Sequence, residues 1–447
     1  MVAMPPLVVV ALGIAGLVGS AVTVVGSDAL WLSALGDHIW AGGAIPSGIP
    51  YGAAPSREWV NTTVLGQLLL SALHGQGSLG LVIAQVVAAV GTLLLIAFDA
   101  LCRGARSSST ALVVVAVSAG AAAPLFIARA QLLSLVPFSA LLVLLRRQQD
   151  RPTAAVWWSM PLLALWGNLH GAVLIGVAVL GCYLMFSRLR QSPATAIAVA
   201  LGSLMATCLN PGLLRAPRYY LGVFNGGATS DESGMWSRVD ISNPFDLLLV
   251  LAAVALGTAA LRRRRPLWEY AAGLGLVLAT FSAARHGLWL LIFLAVPAAT
   301  AVHRDRPAPW RTKRADALTA TIALASAALG VTMLAHRAPQ FRAADAQAAS
   351  IAAATRGHVV LAPEPLVESL AAAGAVVWAS NPLDAFAPAD QAAYLAFLRG
   401  DAAGAARALT QADVVVTEPH TPQARAAMGS GYTRIGTVGG FTLFGRG

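Results

Sequence analysis

Long apolar stretches, broken by short arginine-bearing connections, run from the N-terminus as far as residue 336. A helix that crosses a bilayer needs about 20 predominantly apolar residues, fewer where its ends snorkel. Stretches of this kind lie at 5–27, 80–101, 109–127, 131–146, 154–168, 171–187, 194–210, 245–261, 267–284, 288–302 and 316–335. The pattern predicts a polytopic α-helical membrane protein of about eleven spans. The run 154–187 is interrupted by Trp166-Gly167-Asn168-Leu169-His170-Gly171, which reads as the turn of a hairpin between two short spans. Beyond 336 the pattern changes to short β-type runs among Ala-rich helical segments. Strands are expected at His358–Leu361, Ala375–Trp378 and Asp413–Thr417, helices near 367–373, 389–398, 402–411 and 421–428, and a closing hairpin from Tyr432 to Phe444 around Gly439-Gly440. The expected division is a transmembrane domain, 1–336, followed by a small α/β domain, 337–447.

Charge orients this arrangement. Arg103 and Arg106; Arg146, Arg147 and Arg151; Arg188 and Arg190; Arg262 to Arg265; and Arg304, Arg306, Arg311, Lys313 and Arg314 make sixteen basic residues on alternate connections. The other connections hold six, Arg57, Arg129, Arg215, Arg218, Arg238 and Arg285, spread over longer segments. Basic residues gather in the cytoplasmic loops of membrane proteins. The N-terminus is therefore expected in the cytoplasm and the α/β domain outside a plasma (inner) membrane. The first stretch has no basic n-region and exceeds a signal-peptide core in length, so it reads as an uncleaved span.

Composition agrees. Of 447 residues 57% are hydrophobic and 11% charged, against roughly 25% charged in soluble domains. The net charge of +10 is explained by the loop arginines and implies no nucleic-acid partner. Cys102, Cys182 and Cys208 lie in or beside apolar segments without CxxC spacing, which argues against a disulfide framework or a zinc site. No Gly-rich phosphate-loop motif occurs in the C-terminal domain.

Two large loops fall on the outer side, 28–79 and 211–244. The first reads as an amphipathic helix from Ala29 to Trp40, a turn-rich stretch, and a second helix from Glu58 to Ala72. Its Trp31, Trp40 and Trp59 suit a headgroup-level position. The outer ends of the spans collect Asp28, Arg129, Gln131, Asn168, His170, Asn210, Trp236, Arg285 and His286. Polar groups at membrane depth are expensive and often line a cavity. Arginines can hold a phosphate bidentately, and a carboxylate can serve as general base or hold a divalent cation. Asp28 and Asp37 are the only metal-ligand candidates there. The simpler readings are a helix-capping role for Asp28, a solvated Asp37, snorkelling for Arg129 and Arg285, and backbone satisfaction at a turn for Asn168 and His170.

The order of these features resembles the GT-C type of glycosyltransferase-like bacterial membrane proteins. Asp28-Ala-Leu-Trp31 with Gly36, Ile39, Gly43 and Pro46 resembles the family's first-loop pattern. Glu58-Trp59-Val60-Asn61 through Gln67 resembles its second loop helix, and Arg129-Ala-Gln131-Leu its Arg-Pro-Gln-Leu motif. Trp166-Gly-Asn168-Leu-His170-Gly171, Asn210-Pro211-Gly212, Arg285-His286 and the run through Tyr394-Leu395 and Val414-Val415 follow in family order. The resemblance implies a sugar transferred on the outer face from a polyprenyl-phosphate donor to an envelope acceptor. It makes Asp28 the catalytic acid–base residue, and implies substrate contacts from Arg129, Gln131, Asn168, His170, Trp236, Arg285 and His286. The cofactor such an acid would hold is a divalent cation, Mg or Mn.

The chain departs from the family where a second acid is usual. Ile49 stands at that position, Leu32 replaces a His, and Thr62-Thr63-Val64 replaces His-Glu-Trp. The alternative expectation is a non-catalytic envelope protein that binds lipid-linked glycan or scaffolds assembly. A transporter is disfavoured: Asp99 and Glu269 lie near cytoplasmic ends of their spans, and no inverted repeat is evident.

Overall fold

The computed structural model describes residues 4–56, 58–224, 237–301 and 313–446. Among these, four helices are long and apolar enough to cross a membrane: Ser78–Cys102, Val173–Gln191, Pro244–Leu261 and Asp316–Ala354. Shorter apolar helices include Pro6–Val22, Ser107–Gly120, Pro193–Thr207 and Leu267–Ser282. The chain divides into two compact units, Met1–Val24 with Val82–Leu209 and Glu232–Arg337, and Val25–Leu81 with Asn210–Asp231 and Ala338–Gly447.

The first unit is a helical bundle built round the Gly287–Ala299 helix, whose residues are buried on nearly every face. A helix that is apolar all round belongs inside a core, and GLWLLIFLAVPAA has no polar side chain to give to a surface. Aromatic rings fasten its neighbours to it. Phe138 meets Trp289 edge-on at 5.3 Å and Trp166 at 6.1 Å, while Trp268 touches Phe293 at 6.1 Å and Tyr183 at 5.8 Å. Gly120 allows a close helix approach: a Cβ there would lie 2.4 Å from that of Ala252 and 2.8 Å from Leu291 Cδ1. The expected hairpin is present in outline. A short 3-10 turn at Ala154–Trp158 precedes the Ser159–Leu169 helix, and the chain reverses at His170 before Val173–Tyr183.

The second unit contains a four-stranded mixed sheet in the order Val360–Leu361, Val414–Thr417, Phe441–Arg446, Tyr432–Val438. The first pair is parallel and the others are antiparallel, with Val360 opposite Val414 and Val415 opposite Phe444. The middle strand Val414–Thr417 is buried at every position, as a strand covered on both faces must be. Helices Leu366–Ala372, Pro388–Arg399, Ala406–Gln411 and Pro422–Gly429 surround the sheet. Ala375–Trp378, expected as a strand, makes only single bridges, Val377 to Val360 and to Gly52. Its sheet neighbour is two residues long, so no ladder extends.

Val25–Leu81 belongs to the same unit as the sheet. The Ala53 and Ala54 amides donate to the Val377 and Trp378 carbonyls, 2.8 and 2.9 Å, and the Tyr51 hydroxyl donates to the Trp31 carbonyl at 3.1 Å. The first loop helix spans Ser27–Gly42 and crosses Val64–His74 at Gly36, where a Cβ would come 2.3 Å from the Gln67 carbonyl oxygen. The second loop helix thus starts at Val64, not at the expected Glu58. Asn61 and Gln67 hold each other through two amide hydrogen bonds of 2.9 and 2.7 Å, which keeps the preceding chain out of the helix. Trp31 and Trp59 pack edge to face at 6.4 Å against the core of this unit, whereas Trp40 is exposed.

Candidate functional site

The polar residues expected at span ends fall into both units. In the first, Arg129 follows directly on the Ile127–Ala128 strand, and the turn from Arg129 to Gln131 opens the Leu132–Asp150 helix. Ser134 lies in the first turn of that helix and is completely buried. Its Oγ accepts from Trp166 Nε1 at 2.7 Å and lies 2.8 Å from His170 Nδ1. An indole nitrogen can only donate, so the Ser134 hydrogen is free to go to Nδ1. The Ala172 amide also approaches Nδ1, at 3.4 Å. With two donors directed at Nδ1, the proton of the neutral ring is assigned to Nε2.

Burial, and next the nearby Arg285 guanidinium, push the His170 imidazole down to about 4. The ring is therefore uncharged at neutral pH. It is a fixed hydrogen-bond donor beside a permanent cation and near the N-terminal turn of a helix, whose amides favour an anion. The Arg129 Nε and His286 Nδ1 are buried and make no hydrogen bond among the described residues. Asn168 is committed elsewhere: its Nδ2 donates to the Ala164 and Leu209 carbonyls, 2.9 and 2.5 Å, and ties the turn to the end of Pro193–Thr207. That is a structural use of the amide. Trp236 lies outside the described residues. Sequence reading missed Ser134, for which spacing gives no signal, and the role of Trp166, although that residue opens the quoted motif.

The two acids expected nearby belong to the second unit. Asp28 is half-buried in the first turn of Ser27–Gly42, where Gly26 occupies the N-cap position. It is therefore a first-turn residue that interacts favourably with the helix dipole, not a cap. Asp37 is exposed and accepts from Ser71 Oγ at 2.5 Å. Nine residues separate the two acids in one helix, which sets them on opposite faces and about 13 Å apart along the axis. Asp28 and Asp37 do not fit one metal ion, and no group of three His, Cys, Asp or Glu side chains gathers among the described residues.

The second unit holds further enclosed carboxylates that the sequence did not reveal, among them Asp390, 1% exposed and paired with Arg407. Tyr219 donates to Asp384 Oδ2 at 3.0 Å, and burial raises Asp384 above the ordinary carboxylate range. Glu368, in an Ala-rich helix, is wholly buried. Its Oε1 accepts from the Asn381 side-chain amide at 3.1 Å, and the same nitrogen donates to Glu364 Oε1 at 2.6 Å. Burial and then the neighbouring Glu364 charge push Glu368 up to about 8. Tyr51 and Tyr394 nearby are raised well above the ordinary phenol value, first by burial and then by Glu368.

The chain has a GT-C-like fold. No protein-family model matches the chain, and no curated protein matches its sequence. Solved structures do match over nearly the whole length. ArnT from Cupriavidus metallidurans bound to undecaprenyl phosphate is similar at a TM-score of 0.54 and 14% identity, covering 98% of this chain and 97% of that one. The apo state of the same enzyme gives 0.57 and 13%, over 96% and 95%. AglB, the archaeal oligosaccharyltransferase from Archaeoglobus fulgidus in complex with an inhibitory peptide and a dolichol-phosphate, gives 0.52 and 10%, over 98% and 74%. At these identities the likeness is one of fold.

Proposed function

We propose that the protein transfers a sugar from a polyprenyl-phosphate donor to an envelope acceptor on the extracytoplasmic side of the plasma membrane. The chain would cross it about eleven times, with the N-terminus inside and the C-terminal α/β domain outside. The observation that carries the reading is the Trp166–Ser134–His170 chain beside Arg285, a neutral donor and a cation next to a helix N-terminus in a GT-C-like bundle. Such a set suits the phosphate of a lipid carrier. Arg285, Arg129 and Gln131 are the proposed phosphate ligands, and His286 and Trp236 the proposed contacts to the sugar. In the transfer, an acceptor oxygen bonds to the anomeric carbon while the carbon–oxygen bond to phosphate breaks. The electron pair stays on the polyprenyl phosphate, and the acceptor proton passes to the Asp28 carboxylate, so the anomeric configuration inverts. Asp28→Asn should lower transfer by about 10²- to 10⁴-fold with little change in donor affinity. Full activity in that variant, measured with purified protein and a polyprenyl-phosphate sugar, removes the proposed base.

One feature favours a second reading. Ile49, where the family resemblance places an acid, is 3% exposed in the core of the second unit. A non-catalytic binder of lipid-linked glycan would hold the carrier without turnover, and any detected transfer by the wild type eliminates it.

A further inference from the structure

Arg146 lies twelve residues beyond Ser134 in the Leu132–Asp150 helix, which puts it about 18 Å away along the axis. At this remote end, the arginines that orient the chain turn inward. Arg146 is 3% exposed; it donates to Asp99 Oδ2 at 3.2 Å and to the Phe293 carbonyl at 2.7 Å. Its Nε is buried and makes no hydrogen bond among the described residues, 3.9 Å from Glu269 Oε1. Arg103 bridges Asp99 at 3.0 Å and Asp150 at 2.8 Å. Arg265 donates to the Ala260 carbonyl and Thr300 Oγ1, both at 3.2 Å, and to the Pro297 carbonyl; Arg263 donates to the Ala301 carbonyl at 3.0 Å.

Arg103, Arg146, Arg263, Arg264 and Arg265 line a polar cavity of about 250 Å³ and, among the described residues, outnumber the acids around it: Glu269 in the wall, and Asp99 and Asp150 paired with Arg103 or Arg146. A second cavity of about 320 Å³ runs between the helices Pro244–Leu261, Leu267–Ser282 and Gly287–Ala299. Its walls include Leu249, Ala253, Gly257, Leu274 and Phe281, and it shares Arg265, Glu269 and Pro297 with the arginine cavity. An apolar groove thus opens directly onto a cluster of guanidinium groups. Orienting a chain needs only basic residues in water near the membrane; it does not need a cavity walled by a buried Arg146.

We propose that this end of the bundle binds an anionic glycerophospholipid, its phosphate among the arginines and one acyl chain along the groove. Guanidinium groups match phosphate oxygens in pairs, and basic pockets between membrane helices recognise anionic headgroups. A free phosphate would leave the adjoining groove empty, and a zwitterionic lipid would not offset the positive excess. The site is separate from the proposed transfer site and does not depend on it.

The test uses the full-length protein in an uncharged detergent, with bound lipid counted by native mass spectrometry. Phosphatidylglycerol, phosphatidylcholine and inorganic phosphate are the three probes. Phosphatidylglycerol is expected to bind at least tenfold tighter than phosphatidylcholine, and inorganic phosphate is not expected to displace it. Arg263→Gln with Arg264→Gln should weaken phosphatidylglycerol roughly 10- to 30-fold. Gly257→Leu projects into the groove, where the nearest atom to a new Cβ is Leu294 Cδ1 at 4.0 Å, and should weaken both lipids. Equal binding of the two lipids overturns the proposal, as does full displacement by inorganic phosphate, which would mark a site for a soluble anion. The wild-type probe comparison decides even if a variant does not fold.

Discussion

Asp99 in the first unit and Glu368 in the second are equally deep inside the protein, at 3% and 0% exposure, yet they are kept there by opposite means. Asp99 is held by two guanidinium groups, those of Arg103 and Arg146. Among the described residues Glu368 has no ion-pair partner; an amide, a second carboxylate and burial surround it, and its pKa is raised to about 8. Removing a charge from water costs several kcal/mol, and either a counter-ion or neutralisation must offset that cost. The difference is local: Asp99 has arginines at hand, as the buried Asp390 of the second unit has Arg407. Among the described residues no arginine pairs with Glu368.

The largest test of this contrast is Asp99→Ala. It leaves Arg146 buried beside only the more distant Glu269, and should cost about 3–5 kcal/mol, seen as a large drop in the thermal midpoint in detergent. A change below about 1 kcal/mol would mean that water already reaches Arg146. Glu368→Gln should act the other way. A carboxyl whose folded value is raised binds more protons folded than unfolded, so wild-type stability falls as pH rises from the ordinary carboxylate range near 4.5 towards about 8. The Gln variant should match wild type near pH 4.5 and exceed it by about 2 kcal/mol or more at pH 9. Parallel midpoint curves for the two proteins would show that Glu368 is not neutralised.

These acids mark where the sequence stopped being informative. The helices were legible because burial in lipid or core imposes long apolar runs, and Val414–Thr417 was legible because a covered strand is continuous Val and Thr. The sequence expectation of eleven spans contrasts with four helices of full crossing length among the described residues. Local polar contacts were invisible: the Asn61–Gln67 pair shortened a helix, and Ser134, one serine among leucines, became the centre of the His170 network. Nothing in the spacing around Glu368 distinguishes a buried acid from a solvated one. Asn168 carried a family motif yet serves two backbone carbonyls.

Smaller effects sharpen the comparison. Ser134→Ala strands both the Trp166 N–H and His170 Nδ1 in the interior and should cost about 1–2 kcal/mol, visible as a lowered midpoint and as an upward shift of the His170 titration. An unchanged titration would show that Ser134 does not set the ring's state. Asp37→Ala removes the exposed acceptor of the buried Ser71 hydroxyl, which can turn to a backbone carbonyl of its own helix, and should change stability by less than about 1 kcal/mol. A larger loss would reveal that the loop helices depend on that acid.

The Trp166 indole has a further consequence for His170. An indole has a hydrogen to give and no lone pair with which to receive one, so it occupies one of the two lone pairs of Ser134 Oγ and leaves the hydroxyl hydrogen to turn towards the ring. The Ala172 amide, which likewise can only donate, faces Nδ1 itself. A proton placed on Nδ1 would meet that N–H head-on, so the ring keeps its hydrogen on Nε2. In the proposed phosphate site His170 would therefore hold an oxygen steady through Nε2, rather than carry protons across the bundle.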